Sequence, residues 1–191
     1  MKNLLAAILM ATLPVSATAL PAVAQLPAGM ELGPTVGAKA PPFTVATIGR
    51  EARNLQSVVG EKGATLVFVR SADWCPFCKL QLKNPNEIAD DLDAMGWPVT
   101  AISYDSPGVL DTFRKANSIT YSLMSDPGSK AIDAFGLHNE AMNGKARFEG
   151  IPHPIILFIA KDGTVKAKLY EEAYQKRPTG EVVVQKARTL T

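Results

Sequence analysis

The segment ATLVFVRSADWCPFC, Ala64 to Cys78, joins a short apolar run to both cysteines of the chain. ATLVFV is typical of a central β-strand that is buried on both faces of a sheet. Pro76 follows the first cysteine, and proline suits the first turn of a helix because no backbone N–H has to be donated there. The segment therefore predicts a strand, a loop and the start of a helix, with Cys75 where the loop meets the helix.

The patterns on either side of this segment predict one α/β domain. FTVATIG before it alternates like a half-buried strand. After it we expect a helix that ends at Gly96, with a kink or restart at Pro85, then the strand VTAISY and a helix capped by Ser106. A short helix is expected at Lys130–Phe135. IILFIA and TVKAKL, joined by the turn Asp162-Gly163, predict an antiparallel hairpin, and EVVVQKART predicts a final helix.

The first 24 residues have the pattern of a secretory signal peptide. An apolar run from about Leu4 to Leu13 precedes the small-x-small sequence AVA, and we expect cleavage between Ala24 and Gln25. Residues 25–39 are rich in proline and glycine and predict an N-terminal arm, and residues 40–191 predict the folded domain. This organisation predicts a periplasmic or secreted protein with no stable membrane insertion after cleavage.

The charge pattern excludes nucleic acid as a partner. Twenty basic and eighteen acidic residues give a formal net charge of +2, and the two signs are interspersed along the chain. Domains that bind nucleic acid concentrate basic residues on one face, and no such cluster is present in the sequence.

The spacing of the two cysteines indicates a chemical role. Cys75 and Cys78 are separated by two residues. The stabilisation from a cross-link grows with the length of chain that it encloses, so a bridge this short stabilises little. Exported proteins form disulfides freely, yet this chain has a single pair.

Cys75 is predicted to be the nucleophile of the pair. At a strand-to-helix junction its sulfur meets unpaired backbone N–H groups and the positive end of the helix dipole, which both stabilise a thiolate. Cys78 lies one turn further along the same helix, in reach of a mixed disulfide on Cys75 that it can resolve. Trp74 and Phe77 supply an apolar rim, and Pro76 begins the helix.

Metal binding is the main alternative role for the pair. A structural zinc site needs four ligands, and the only histidines are His138 and His153. Copper(I) can be held by two thiolates and one imidazole, so a periplasmic copper-binding module stays open as an alternative. The enzyme hypotheses require no metal and no cofactor.

Segments along most of the chain after residue 24 resemble a known family. They are similar to the redoxin group of the thioredoxin superfamily, the peroxiredoxin-like branch that includes alkyl hydroperoxide reductase, thiol-specific antioxidant proteins and exported thioredoxin-like reductases. The resemblance implies a thioredoxin-like α/β fold, with a central mixed sheet flanked by helices, redoxin-type N-terminal strands and a central insert. The segments are VGAKAPPF (36–43), LVFVRSADWCPFC (66–78), SYDSPGVLDTF (103–113), SLMSDPGSKAIDAFG (122–136) and IPHPIILFIAKDGTV (151–165).

The resemblance adds two residues to the predicted site. In the thioredoxin fold a cis-proline that faces the cysteine pair opens the strand before the hairpin turn, and Pro154 holds that place. The X-Pro bond can adopt cis at modest cost, and the backbone before it can pair with an extended substrate. His153 precedes Pro154, so its imidazole is a candidate to influence the Cys75 thiolate.

The sequence departs from both branches of the family at the residues that assist the cysteines. Peroxiredoxins resemble the pattern P-x-x-x-T-x-x-C, but Phe68 stands at the proline position and Ala72 at the threonine position. The later arginine of peroxiredoxins falls on Pro154, and Arg70 is a possible substitute. The buried acid that thioredoxins place six residues before the nucleophile is Val69, so proton transfer to the second cysteine needs another group or water.

The sequence therefore predicts an exported thiol-disulfide oxidoreductase. Its partners would be a protein or small-molecule disulfide and a separate reducing or oxidising protein. The enzyme alternative is a thiol peroxidase that reduces hydrogen peroxide or alkyl hydroperoxides, in which Cys75 attacks the peroxide and Cys78 resolves the resulting sulfenic acid.

Overall fold

A mixed sheet of seven strands organises the part of the chain that the computed structural model describes, residues 31–171, 173 and 175–190. The order across the sheet is β2-β1-β5-β4-β3-β6-β7. The strands are β1 (Val45–Thr47), β2 (Ala52–Arg53), β3 (Gly63–Phe68), β4 (Val99–Ser103), β5 (Ser122–Ser125), β6 (Ile155–Ala160) and β7 (Val165–Leu169). The helices are α1 (Pro76–Ala94), α2 (Pro107–Asn117), α3 (Lys130–Ala134) and α4 (Gly180–Thr189). This is the thioredoxin-like α/β fold that the resemblance implied.

Strand β3 is central and all six of its residues are buried. It pairs in parallel with β4 and antiparallel with β6, so both of its hydrogen-bonding edges are used. Successive side chains of a strand point to opposite faces. Leu66 and Phe68 accordingly belong to the apolar cluster that includes α3, whereas Val67 and Val69 belong to the cluster that includes α1, α2 and α4.

Helix α1 begins directly after Cys75, as the sequence predicted, and is one continuous helix of 19 residues. The restart expected at Pro85 is wrong, because the helix runs through this residue, which is buried. The kink expected there stays a prediction. The chain leaves α1 at Gly96, whose φ of +83° is a left-handed conformation that glycine adopts without steric cost. The chain turns at Gly96 and continues through Trp97 and Pro98 into β4.

The hairpin of β6 and β7 and the closing helix α4 confirm the prediction for the C-terminal part of the domain. The cap of α2 is also confirmed, since Ser106 Oγ accepts a hydrogen bond from the N–H of Val109. No local pattern in the sequence predicted β2 or β5, which are two and four residues long. The segment between α3 and β6 forms the central insert, which contains two 3-10 turns at Glu140–Met142 and Ala146–Phe148.

The described part of the N-terminal arm packs along the hairpin. Leu32 is buried, and the N–H of Gly37 donates to the carbonyl of Val165 at 2.8 Å. Lys39 forms an ion pair with Asp162 in the hairpin turn. The predicted signal peptide and the first residues of the arm lie outside the described residues, so they stay predictions. Among the helices described here, none combines the length and apolar character that a membrane span requires.

Candidate active site

The cysteine pair lies between the end of β3 and the first turn of α1. Cys75 is the N-cap residue of α1, and its Sγ accepts a hydrogen bond from the N–H of Cys78 at 3.2 Å. The two sulfurs form a disulfide, and the Cα atoms are 5.2 Å apart. Cys75 is 2% exposed and Cys78 is completely buried. The Cys75–Cys78 disulfide is therefore accommodated at the start of α1 without interrupting the helix.

The residues around the pair take unequal positions. Pro76, the first residue of α1, is exposed, while Phe77 and Trp74 are half-buried and pack against the apolar cluster that contains both cysteines. These placements agree with an apolar rim around the pair, although the part that each residue plays in binding a substrate stays a prediction.

A buried carboxylate fixes the loop that leads into Cys75. Asp105 follows β4, and its carboxylate accepts hydrogen bonds from Ser71 Oγ at 2.8 Å, from the N–H of Ala72 at 2.6 Å and from Ser103 Oγ at 2.8 Å. Burial raises the pKa of Asp105, and these hydrogen bonds oppose that shift. Sequence reasoning missed this residue. The signal was available, since β3 and β4 were both predicted and the carboxyl ends of parallel strands meet at one edge of a sheet.

Trp74 connects the cysteine loop to the central insert. Its indole N–H donates to the hydroxyl of Tyr104 at 2.8 Å, and that hydroxyl donates to the carbonyl of Arg147. The ring of Phe148 meets the Trp74 ring edge-on at 4.7 Å between centroids. The guanidinium of Arg70 lies 5.3 Å from the Trp74 ring centroid, a cation–π arrangement. The insert thus covers the tryptophan beside the nucleophile.

His153 is half-buried just before β6, and its backbone N–H donates to the carbonyl of Leu137 at 2.7 Å. Burial is the main cause that lowers the pKa of its imidazole, and the positive charge of Arg70 adds to the shift. The imidazole is therefore neutral near neutral pH. An influence of His153 on Cys75 stays a prediction.

The cis bond expected at Pro154 is wrong for this structure. All peptide bonds of the described residues are trans, including that between His153 and Pro154. Two backbone contacts hold the residues before Pro154 in extended form. Pro152 forms an antiparallel β-bridge with His138, and the backbone N–H of His153 donates to the carbonyl of Leu137. A trans bond, which an X-Pro peptide prefers by about 0.5–1 kcal/mol, continues that direction into β6.

An arginine from the C-terminal segment reaches the second cysteine. Arg177 Nη2 donates to Cys78 Sγ at 3.9 Å, and its Nε donates to Gln81 Oε1 at 2.6 Å. Sequence reasoning missed Arg177. It is 99 residues from Cys78, in a segment without periodicity, so only the packing of α4 against α1 brings the two together.

A groove of about 670 Å³ adjoins the cysteine loop. Ala72 and Asp73 form one end of it, and the exposed side of α1 contributes Lys79 and Lys83. The opposite wall comes from α2 and its cap, including the apolar side chains of Val109 and Phe113, Ala116 and the polar side chains of Ser106, Thr112 and Asn117. The groove gives a route for a small molecule to approach the loop before Cys75.

The copper site considered from the sequence is not assembled. Within the described ranges, no group of three or more His, Cys, Asp or Glu side chains is placed to hold a metal ion. His138 instead pairs with Asp133, with Nδ1 2.7 Å from the carboxylate.

Comparison with known proteins gives one consistent result. The model of the AhpC/TSA family matches residues 36–168. Peroxiredoxin Bcp of Escherichia coli K12 is 28% identical over 127 residues, which cover 66% of this chain and 80% of that protein.

Two solved structures share the fold. A peroxiredoxin-like protein from Aquifex aeolicus superposes with a TM-score of 0.70 at 24% identity, covering 84% of this chain and 91% of its own. Reduced Prx3 of Vibrio vulnificus, solved with hydrogen peroxide, superposes with a TM-score of 0.69 at 19% identity. The match covers 80% of this chain and 98% of the Prx3 chain.

Proposed function

The chain belongs to the AhpC/TSA family, and from that premise we propose that it is a thiol-dependent peroxidase that reduces hydrogen peroxide or alkyl hydroperoxides. The observation that carries the proposal is the position of the Cys75–Cys78 pair at the start of α1, inside the segment that the AhpC/TSA family model matches. The enzyme alternative of the sequence prediction thus becomes the preferred function.

The first step of the cycle is attack by the Cys75 thiolate on the outer oxygen of the peroxide. The S–O bond forms, the O–O bond breaks, and the alcohol or water leaves after taking up a proton. The N–H of Cys78, 3.2 Å from Cys75 Sγ, stabilises the thiolate, and so does the positive end of the α1 dipole. Cys75 is left as a sulfenic acid.

The second step closes the disulfide. Cys78 Sγ attacks Cys75 Sγ, the S–O bond breaks, and hydroxide leaves as water after taking up a proton. Because the two cysteines lie one turn apart on α1, the step needs no unfolding of the helix. An external dithiol then reduces the disulfide and supplies the two electrons that the peroxide consumed.

Thiol-disulfide exchange is the second candidate function, and two side chains favour it. Ala72 offers no hydroxyl to a peroxide, and Pro154 stands where peroxiredoxins have an arginine. In that reaction Cys75 attacks a substrate disulfide to give a mixed disulfide, and Cys78 releases the reduced substrate.

Rapid mixing of the reduced protein with hydrogen peroxide or an organic hydroperoxide tests the peroxidase proposal. We expect a second-order rate well above that of a free thiol, with Trp74 fluorescence as the signal. Cys75→Ser should abolish the reaction, and Cys78→Ser should trap a sulfenic acid on Cys75 that a carbon-acid probe captures. Trp74→Phe assigns the signal, since Trp97 is also present but is buried against Phe158. A rate no higher than that of a free thiol would refute the proposal and leave disulfide exchange.

A further inference from the structure

Arg177 is held in a fixed position against the second cysteine. Its Nε is bonded to Gln81 Oε1 at 2.6 Å and its Nη1 to the carbonyl of Lys176 at 2.6 Å, while Nη2 points to Cys78 Sγ at 3.9 Å. Gln81 is one turn beyond Cys78 on α1 and is 3% exposed. The hydrogen bonds to Gln81 and to the carbonyl of Lys176 therefore hold the guanidinium beside the Cys78 sulfur.

Cys78 needs such a charge if it is to act as a nucleophile. Its side chain is completely buried, and burial in apolar surroundings disfavours the thiolate. The backbone N–H groups at the start of α1 serve Cys75, because the N–H of Cys78 itself donates to Cys75 Sγ. A cation within about 4–6 Å of an acidic group lowers its pKa by about 1–3 units.

We propose that Arg177 is a catalytic residue that keeps Cys78 as the thiolate for the resolving step. The proposal rests on the proposed function, in which Cys78 attacks the sulfenic acid on Cys75. As the S–S bond forms, the negative charge of Cys78 leaves with the hydroxide, which becomes water on taking up a proton. The disulfide carries no charge, so the electrostatic attraction of the guanidinium to Cys78 arises in the reduced and sulfenic acid forms, while the contact at 3.9 Å is already present in the disulfide form.

A purely structural role for Arg177 predicts a different outcome when the arginine is removed. If the arginine only tethers the C-terminal segment to α1 through Gln81, its removal would lower the stability of the fold and leave the titration of Cys78 unchanged. The charge of the side chain, and not its hydrogen bonds alone, is therefore the property to vary.

The titration of Cys78 in a Cys75→Ser background separates these roles. The ultraviolet absorbance of the thiolate, followed against pH, gives the pKa of Cys78 directly. Arg177→Met keeps an apolar stem and removes the charge, and we expect it to raise that pKa by about one unit or more. Arg177→Lys should restore most of the shift. Lys176→Gln is the matched control, because it removes a neighbouring exposed charge but leaves the carbonyl that Arg177 uses.

Peroxide mixing with the cysteine pair intact gives the kinetic readout. Arg177→Met should leave the rate of sulfenic acid formation unchanged and slow disulfide closure about tenfold at neutral pH. An unchanged Cys78 pKa in Arg177→Met, or equal shifts in Arg177→Met and Lys176→Gln, would overturn the proposal. If Arg177→Met fails to fold, Arg177→Gln serves instead. The titration uses no peroxide, so its outcome is independent of whether the proposed function holds.

Discussion

Ala72 lies three residues before the nucleophile and presents a methyl group where peroxiredoxins present a hydroxyl. Ala72 is 3% exposed and lies at the end of the groove beside the cysteine loop. We expect Ala72→Thr to raise the rate of Cys75 oxidation by hydrogen peroxide about tenfold, the value of one good hydrogen bond. Ala72→Val has the shape of threonine without the hydroxyl and should not accelerate the reaction. Equal effects of the two variants would contradict this account.

Asp105 gives the stability of the fold a pH dependence of known sign. Burial raises its folded-state pKa, so its contribution is fully present below the unfolded pKa and is lost as pH rises through the folded pKa. The free energy of unfolding of the wild type minus that of Asp105→Asn should therefore fall as pH rises from the ordinary pKa of an aspartate, about 3.9, through the raised folded-state pKa. Denaturant unfolding at a series of pH values measures this difference.

Asp162 provides the opposite case for that experiment. Its carboxylate accepts hydrogen bonds from Lys39 and Thr164, which lower its pKa, so its contribution is present above the unfolded pKa and is lost as pH falls. The wild type minus Asp162→Asn difference should rise with pH in the acid range. Two differences that change with pH in the same direction would contradict the assigned causes.

At the scale of elements, the sequence predicted those parts whose signals are local. The junction of β3 and α1 follows from an apolar run, a loop and a proline within 15 residues of sequence. The hairpin of β6 and β7 follows from two apolar runs and a turn at Gly163, and α4 was predicted from the segment EVVVQKART. Cys75 and Cys78 were placed correctly for the same reason, since the strand and the helix fix both positions.

The elements that sequence reasoning missed depend on distant partners. Strand β5 has only four residues and is a strand because it pairs in parallel with β4 and antiparallel with β1. The trans bond at Pro154 depends on the extended path that Leu137 and His138 impose before β6. Arg177 meets Cys78 only after α4 has packed on α1. None of these contacts leaves a period or a spacing in the sequence.

At the scale of the whole molecule, the sheet separates two apolar clusters that both depend on β3. One contains the cysteine pair together with residues of α1, α2 and α4, and the other contains α3 and Phe43. Strand β3 contributes alternate side chains to both clusters and pairs with β4 and β6. A change in the distance between β3 and a neighbouring strand should therefore alter the packing on both faces of the sheet and the position of the cysteine loop.

Gly63, the first residue of β3, tests that dependence. A Cβ there would meet the carbonyl of Ile159, and it would lie 2.5 Å from the Trp97 ring and 2.8 Å from Ala160 Cα. Two of these atoms are backbone of the paired strand β6, so relief requires β3 and β6 to separate. We expect Gly63→Ala to lower the free energy of unfolding by about 1–3 kcal/mol. The control is Gly108→Ala in α2, where nothing lies within 4 Å, and we expect a gain of about 0.5 kcal/mol there. Denaturant unfolding of both variants measures the two changes, and a Gly63→Ala protein as stable as the wild type would show that the β3–β6 contact can open without cost.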